Sequence, residues 1–193
     1  ALYCERSGVI NIGLDGFMIV GSFAGAITIS KLQASMGSGN TLAIWIGLLV
    51  AFIVGMLFSL LHAFASINLN SDQTISGTAI NMMAGALTVF LARTITGSGR
   101  IRITNGFYQM DIPVLSQIPI LGDLLFKKTY ITTWVSLAIL LLSSFLIYKT
   151  RFGLRLRACG EHPQAADAAG INVYRMRYIG VLLSGGLSSF AGA

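Results

Sequence analysis

Ionisable and amide side chains are scarce among the apolar segments of this 193-residue chain, so each one found there needs a physical reason. Asp15 lies inside or at the edge of the first apolar segment, preceded by Asn11 and flanked by Gly13 and Gly16. An ionisable group at membrane depth costs at least about 2.5 kcal/mol on insertion scales, so it should face a cavity, a partner or water. The two glycines permit a broken helix at this point, and such breaks help to form substrate sites in transporters. The competing reading is a carboxylate that caps a helix start at the interface. In a later segment Asn81 follows Thr74, Ser76 and Thr78, with Met82 and Met83 beside it. Hydroxyls and amides on one helix could bond a passing sugar or base, or equally the neighbouring helices. Asn11, Asp15 and Asn81 are therefore the candidate substrate pathway.

The other reactive side chains point away from chemistry. His62, near the end of a Leu-rich span, reads as a helix-end residue snorkelling to the interface rather than a proton relay. His162 directly precedes Pro163 and reads as a solvated loop residue. Cys4 and Cys159 belong to no CxxC and have no His at metal-ligand spacing, so both are expected to be free thiols. No GxxxxGK[ST] loop occurs, no His-carboxylate cluster suggests a metal, and no Ser, His and Asp set shares a credible pocket. Neither a catalytic residue nor a metal or cofactor site is expected in this chain.

The elements that must position these residues follow from composition. Hydrophobic residues make up 54% of the chain, charged residues 10%, and the mean hydropathy is +0.76. A soluble domain needs roughly 25% charged residues, so the expectation is an all-α membrane protein, a polytopic transmembrane helix bundle. Five apolar segments stand out, Leu14 to Ile29, Leu42 to Ala65, Thr74 to Ala92, Ile131 to Tyr148 and Tyr178 to Ala193. Each approaches the length a helix needs to cross about 30 Å of hydrocarbon. The first, third and fifth carry Gly with Ser or Thr at close spacing, as in GSFAGA, TISGTAINMMAGA and LLSGGLSSFAGA. Small residues let helices approach closely in lipid, so these three should face protein or a pathway. Residues 1–193 read as a single permease-like membrane domain, and its ends, without Met at position 1 and with SGGLSSFAGA inside an apolar stretch, read as those of a fragment.

Loop charge sets the orientation. The net charge of +6 sits in polar stretches beside apolar ones, without the interleaved aromatics of a nucleic-acid surface, so the partner is lipid and not nucleic acid. Lys149 to Arg177 carries six Arg or Lys against Glu161 and Asp167, which places it in the cytoplasm. Alternation then puts Arg93 to Tyr130 outside, although that stretch also has five basic residues. Its IPVLSQIPILGDLLF portion, with Pro113 and Pro119, is too broken for a span and reads as an extracellular cap or re-entrant piece.

Within the cytoplasmic loop Pro163 suits a first helical position, Ala165, Ala166, Ala168 and Ala169 favour a short helix, and Gly170 can end it. Asn172 can cap the next helix. An Ala-rich helix between Arg-rich arms suits the inner face, where its small side chains could enter a groove on another protein. An ordinary connecting loop whose basic residues bind lipid head groups is the alternative.

At this loop the sequence resembles a known family. Gln164-Ala165-Ala166, three further residues and Gly170 resemble the cytoplasmic EAA signature of ABC importer permeases, with Gln where many members have Glu. The longer stretch TRFGLRLRACGEHPQAADAAGINVYRMRYIGVLLSGGLSSFAGA resembles permeases of the ribose, branched-chain amino acid and nucleoside importers. ERSGVINIGLDGFMIVGSFAGA and PVLSQIPILGDLLF are similar to the general nucleoside branch. Asp15 stands where family members often have Glu.

The resemblance implies a permease subunit of an ATP-driven importer of nucleosides or related small polar solutes, in a bacterial inner membrane. Permeases for ribose-like sugars or branched-chain amino acids are the alternatives. It further implies that Glu161 to Gly170, through Glu161, Pro163, Gln164, Ala165, Ala166 and Gly170, forms a coupling helix docking on a cytoplasmic ATPase, where ATP and Mg would bind. A second, related permease subunit and an extracellular substrate-binding lipoprotein complete the implied assembly. An ion-coupled transporter would need more titratable groups than Asp15 and His62, and a non-transporting scaffold would bind no ATPase.

Overall fold

The computed structural model describes residues 1–37, 41–97, 99–104, 106–110 and 129–193. A short helix α1, Leu2–Arg6, leads through an extended segment into α2, Leu14–Met36. Then come α3, Thr41–Ala63, ending in a π-helical turn at Phe64–Asn68, and α4, Gln73–Thr96. After two short strands, β1 at Gln109–Met110 and β2 at Thr129–Tyr130, the chain continues as α5, Ile131–Lys149. It ends in α6, Arg151–Glu161, α7, Pro163–Ala168, and α8, Val173–Gly192. The strands form one antiparallel ladder, Gln109 opposite Tyr130 and Met110 opposite Thr129.

Among the described residues, four helices are long and apolar enough to cross a membrane, at Leu14–Ser35, Thr41–Asn68, Gln73–Thr96 and Ile131–Lys149. The fifth expected segment forms α8, which is less apolar because it opens with Arg175 and Arg177 and carries Ser184, Gly185, Gly186, Ser188 and Ser189. Those small residues pack against other helices. Ser188 Oγ donates to the Leu14 carbonyl at 2.9 Å and Ser189 Oγ to the Phe17 carbonyl at 2.7 Å. On α3 a small residue recurs every fourth position, Ala43, Gly47, Ala51, Gly55, Ser59 and Ala63, and all six are buried. That period marks one helix face, so α3 presents a smooth groove to α2 and α8. A Cβ on Gly55 would sit 3.0 Å from the Gly185 carbonyl oxygen, so the two backbones nearly touch.

Helix ends follow local chemistry. Asp72 caps α4 by accepting from Thr74 N–H at 2.7 Å and Ile75 N–H at 3.2 Å. Thr150 caps α6 and Asn172 caps α8, the latter accepting from Arg175 N–H at 2.9 Å. The boundaries correct two expectations. Helix α2 runs seven residues past Ile29, and Gln33, buried near its end, accepts from Thr104 N–H at 3.0 Å. Arg93 lies on α4 rather than in the following loop, since the helix continues to Thr96 and stops at Gly97, φ 68°. Most of the expected extracellular segment IPVLSQIPILGDLLF lies outside the described residues.

Candidate functional site

Two regions meet at the end of the bundle that carries α6 and α7. The first is the corner formed by those helices. Thr150 turns the chain out of α5, and α6 folds back so closely that Gly153 packs on the Leu146 and Ile147 carbonyls. Glu161 is the last residue of α6, and Pro163 opens α7. The expected single helix from Glu161 to Gly170 is therefore two elements broken at His162, whose ψ of 82° is not helical. Pro163 causes the break, because its ring disfavours the helical region for the residue before it. After Ala168 the chain reverses through Gly170 at φ 78°, with Gly170 N–H donating to Asp167 O at 2.8 Å and Ile171 N–H to Ala166 O at 3.0 Å.

Of the six expected coupling residues, Glu161, Gln164, Ala165 and Gly170 are exposed and Pro163 is half-buried. Ala166 is buried, in one apolar cluster with Tyr3 of α1, Ile147 of α5, Leu156 and Cys159 of α6 and Met176 of α8. A buried Ala at the centre of a six-residue helix fixes α7 to the bundle and leaves its other side chains outward. The corner is basic. Arg151, Arg155 and Arg175 are exposed, and the Arg157 guanidinium lies 5.5 Å from the centre of the Tyr148 ring. Cys159 and Cys4 are free and buried, as expected of unpaired thiols. Burial pushes the Cys4 thiol up to about 12 and raises that of Cys159, the latter opposed by Arg177, so neither is a reactive thiolate.

The second region is the extended segment between α1 and α2. Its backbone is held by side chains from two helices, α3 and α4. Ile10 N–H donates to Gln73 Oε1 at 2.6 Å. The Ile10 carbonyl lies 3.3 Å from His62 Nε2, and His62 Nδ1 lies 3.0 Å from Ser76 Oγ. A carbonyl only accepts, so the imidazole N–H is on Nε2 and, in the neutral ring, Nδ1 accepts a hydrogen bond from the Ser76 hydroxyl. Asn81 Nδ2 donates to Ile12 O at 3.1 Å while its Oδ1 accepts from Gly16 N–H at 2.7 Å. Asn11 Oδ1 accepts from Gly13 N–H at 3.0 Å, and its Nδ2 is buried without a hydrogen-bond partner among the described residues. Closeness here depends on Gly77, where a Cβ would fall 3.0 Å from Gly13 N.

Asn11, Asp15 and Asn81 thus converge on one helix break, with distinct environments. Asp15 is exposed in the first turn of α2, beside the positive end of the helix dipole, and the N-cap is Gly13. Asn81 spends both polar ends on backbone, and Asn11 keeps one donor spare. His62 corrects its expectation outright: it is fully buried and bonded at both nitrogens rather than snorkelling. Its partner carbonyl lies far away in sequence, which no local pattern reveals. Gln73 was not among the expected residues for the same reason, whereas Ser76, read as a hydroxyl for a solute or a neighbouring helix, meets His62 of α3. The only local hint was the polar run SDQTIS immediately after the Leu-rich span.

Against known proteins, residues 1–193 match the family described as branched-chain amino acid transport system / permease component. The chain is 46% identical over 185 residues to the guanosine ABC transporter permease protein NupQ of Bacillus subtilis (strain 168), covering 95% of this chain and 57% of that protein. It is 41% identical over 192 residues to the nucleoside ABC transporter permease protein NupC of Lactococcus lactis subsp. cremoris (strain MG1363), covering 100% and 60%. A putative glucose ABC transporter permease protein, TsgC13 of Haloferax volcanii, is 34% identical over 197 residues, covering 100% and 55%. The chain therefore spans less than two thirds of the length of these relatives. No solved structure matches. A multi-pass helical membrane chain, matched from its first residue to its last, belongs to the branched-chain amino acid transport system permease family.

Proposed function

We propose that this chain forms part of the membrane-spanning permease subunit of an ATP-driven ABC importer that carries nucleosides into the cell. The observation that carries this reading is its likeness along 95% and 100% of its length to proteins named for guanosine and nucleoside transport. The geometry supports the coupling half of the reading. Helix α7 offers a small outward face, seated through Ala166 and joined to α5 through α6 and to α8 through the turn at Gly170. ATP and Mg would act on a separate cytoplasmic ATPase docked at α6 and α7, and displacement of that corner would rock the helices. The exposed Arg151, Arg155 and Arg175 would steer an acidic ATPase rim and supply little of the affinity. By the same charge, this end faces the cytoplasm of an inner-membrane protein. A second permease subunit and an extracellular binding lipoprotein complete the assembly.

Asn11, Asp15 and Asn81 are proposed to border the solute pathway at the break before α2, with the spare Asn11 amide hydrogen and the Asp15 carboxylate as the groups left for solute or water. The test is uptake of radiolabelled guanosine by cells expressing the complete permease with its partner subunits. Saturable uptake that is competed by other nucleosides, and not by glucose or leucine, is expected. Competition by glucose alone would transfer the reading to sugars, in line with the 34% identical putative glucose permease.

A further inference from the structure

Helix α1 joins the corner of α6 and α7 to the second region, the segment that leads into α2. On one side Tyr3 packs into the cluster that contains Ala166 of α7 and Leu156 of α6. On the other, Cys4 and Val9 pack with Ala63 and Ile67 at the end of α3 and Val181 of α8. The backbone contacts are equally tight. A Cβ on Gly160 of α6 would lie 2.5 Å from the Arg6 carbonyl oxygen, and one on Gly8 would lie 3.1 Å from Gly160 Cα. Gly8 has φ 81°, a left-handed turn that points the strap away from α6 and toward α4. Beyond it the peptide groups of Ile10 are held at both ends, the N–H by Gln73 and the carbonyl by His62. Ser7 is fully buried, its hydroxyl turned back to the Cys4 carbonyl at 2.7 Å.

After α1 the chain from Val9 to Gly13 is not helical, and alternate residues of it, Val9, Asn11 and Gly13, are buried, so its backbone groups depend on the side chains that meet them. Those side chains come from α3 and α4, while Cys4 and Val9 pack on α3 and α8 and Tyr3 packs in the cluster shared with α6 and α7. An extended strap bound at one end to the docking corner and at the other to two spans cannot stay still when the corner moves. From this we infer that Leu2–Gly13 is the link carrying displacement of α6 and α7 to the start of α2, with Gln73 and His62 as positioning residues that grip its far end. The inference rests on the proposed coupling role of α6 and α7.

The experiment uses the complete transporter, with ATPase and binding protein, in liposomes, and reads guanosine taken up per ATP hydrolysed. Gln73→Ala removes the acceptor for Ile10 N–H, whereas Gln73→Glu keeps one. Gln73→Ala should cut uptake per ATP about tenfold while the ATPase still co-purifies and basal hydrolysis persists; Gln73→Glu should restore most of it. A structural defect alone would lower uptake and hydrolysis together, leaving their ratio unchanged, and that result would overturn the inference. Hydrogen exchange on the unmutated transporter gives a second reading that no folding defect can obscure. Amides of residues 7–13 should change protection between nucleotide-free and ATP-bound states. A change at α6 and α7 with none in the strap would contradict the link. Hydrolysis without guanosine movement in the unmutated transporter would instead count against the substrate reading and leave the exchange measurement to decide the strap.

Discussion

Helices α3 and α5 are both Leu-rich spans, yet a third of α3's most apolar window is buried within the chain against 6% of α5's. Hydropathy does not explain the difference, since α3, the more buried of the two, is also the more apolar. What differs is the placement of small residues. On α3 they recur every fourth position and admit the backbones of α2 and α8, whereas α5 exposes Leu137, Leu140, Leu141, Leu142 and Phe145. In lipid, where burying a Leu gains little over leaving it among acyl chains, close packing decides which helices associate. A span is therefore recognised by how apolar it is, and its neighbours by where it is small.

The largest effect that would break this comparison is expected at Gly55, whose Cβ would meet Ser189 and the Gly185 carbonyl. Gly55→Leu should cost about 3 kcal/mol or more and abolish a stable fold in detergent, read as loss of a monodisperse gel-filtration peak. Retention of normal thermal stability would show that α3 and α8 do not pack through small residues. Asn81→Ala should come next, since it strips one hydrogen bond from the Ile12 carbonyl and one from the part-buried Gly16 amide. About 1–3 kcal/mol is expected, visible as a lowered Tm. Smaller still is the Asp72 cap. Its carboxylate accepts from Ile75 and Thr74 amides, which hold its pKa below the usual carboxylate value. A lowered folded pKa means that its stabilisation is complete above the ordinary value of about 4 and lost as pH falls through the folded one. Thermal melts should therefore show Asp72→Asn closing its deficit to the parent protein below about pH 4; a gap that stays constant with pH would contradict the cap. Least of all, Leu141→Ala on the exposed face of α5 should change stability by under about 0.5 kcal/mol, and a larger loss would reveal a helix packed there.

Much of the fold was legible because its signals are local. Apolar length gave the helices, Asn172 and Pro163 gave two helix starts, and Gly170 gave a helix end. Where a helix end depended on distant partners, the reading failed. Gln33 is held by the Thr104 amide, and α2 runs past the polar residues that suggested its end. The break before α2 was legible from Gly13 and Gly16, but its fasteners were not. His62 and Gln73 meet Ile10 across 52 and 63 residues, and only the folded chain brings them together. The strap has little local signature, because Leu2–Arg6 is too short for a periodic pattern and Ser7-Gly8 marks a turn without saying what holds the residues after it.

The structure also selects the sharpest probe of the proposed docking corner. Gly170→Arg would confuse docking with strain, because Gly170 occupies the left-handed region. Ala165 is helical, exposed and outward, next to the buried Ala166, so bulk and charge there disturb nothing within the chain. The decisive measurement is co-purification of the ATPase with the complete permease carrying Ala165→Arg, alongside guanosine uptake. The account predicts unchanged permease in the membrane, loss of the ATPase and loss of ATP-driven uptake. An ATPase that still co-purifies, with uptake intact, would contradict it.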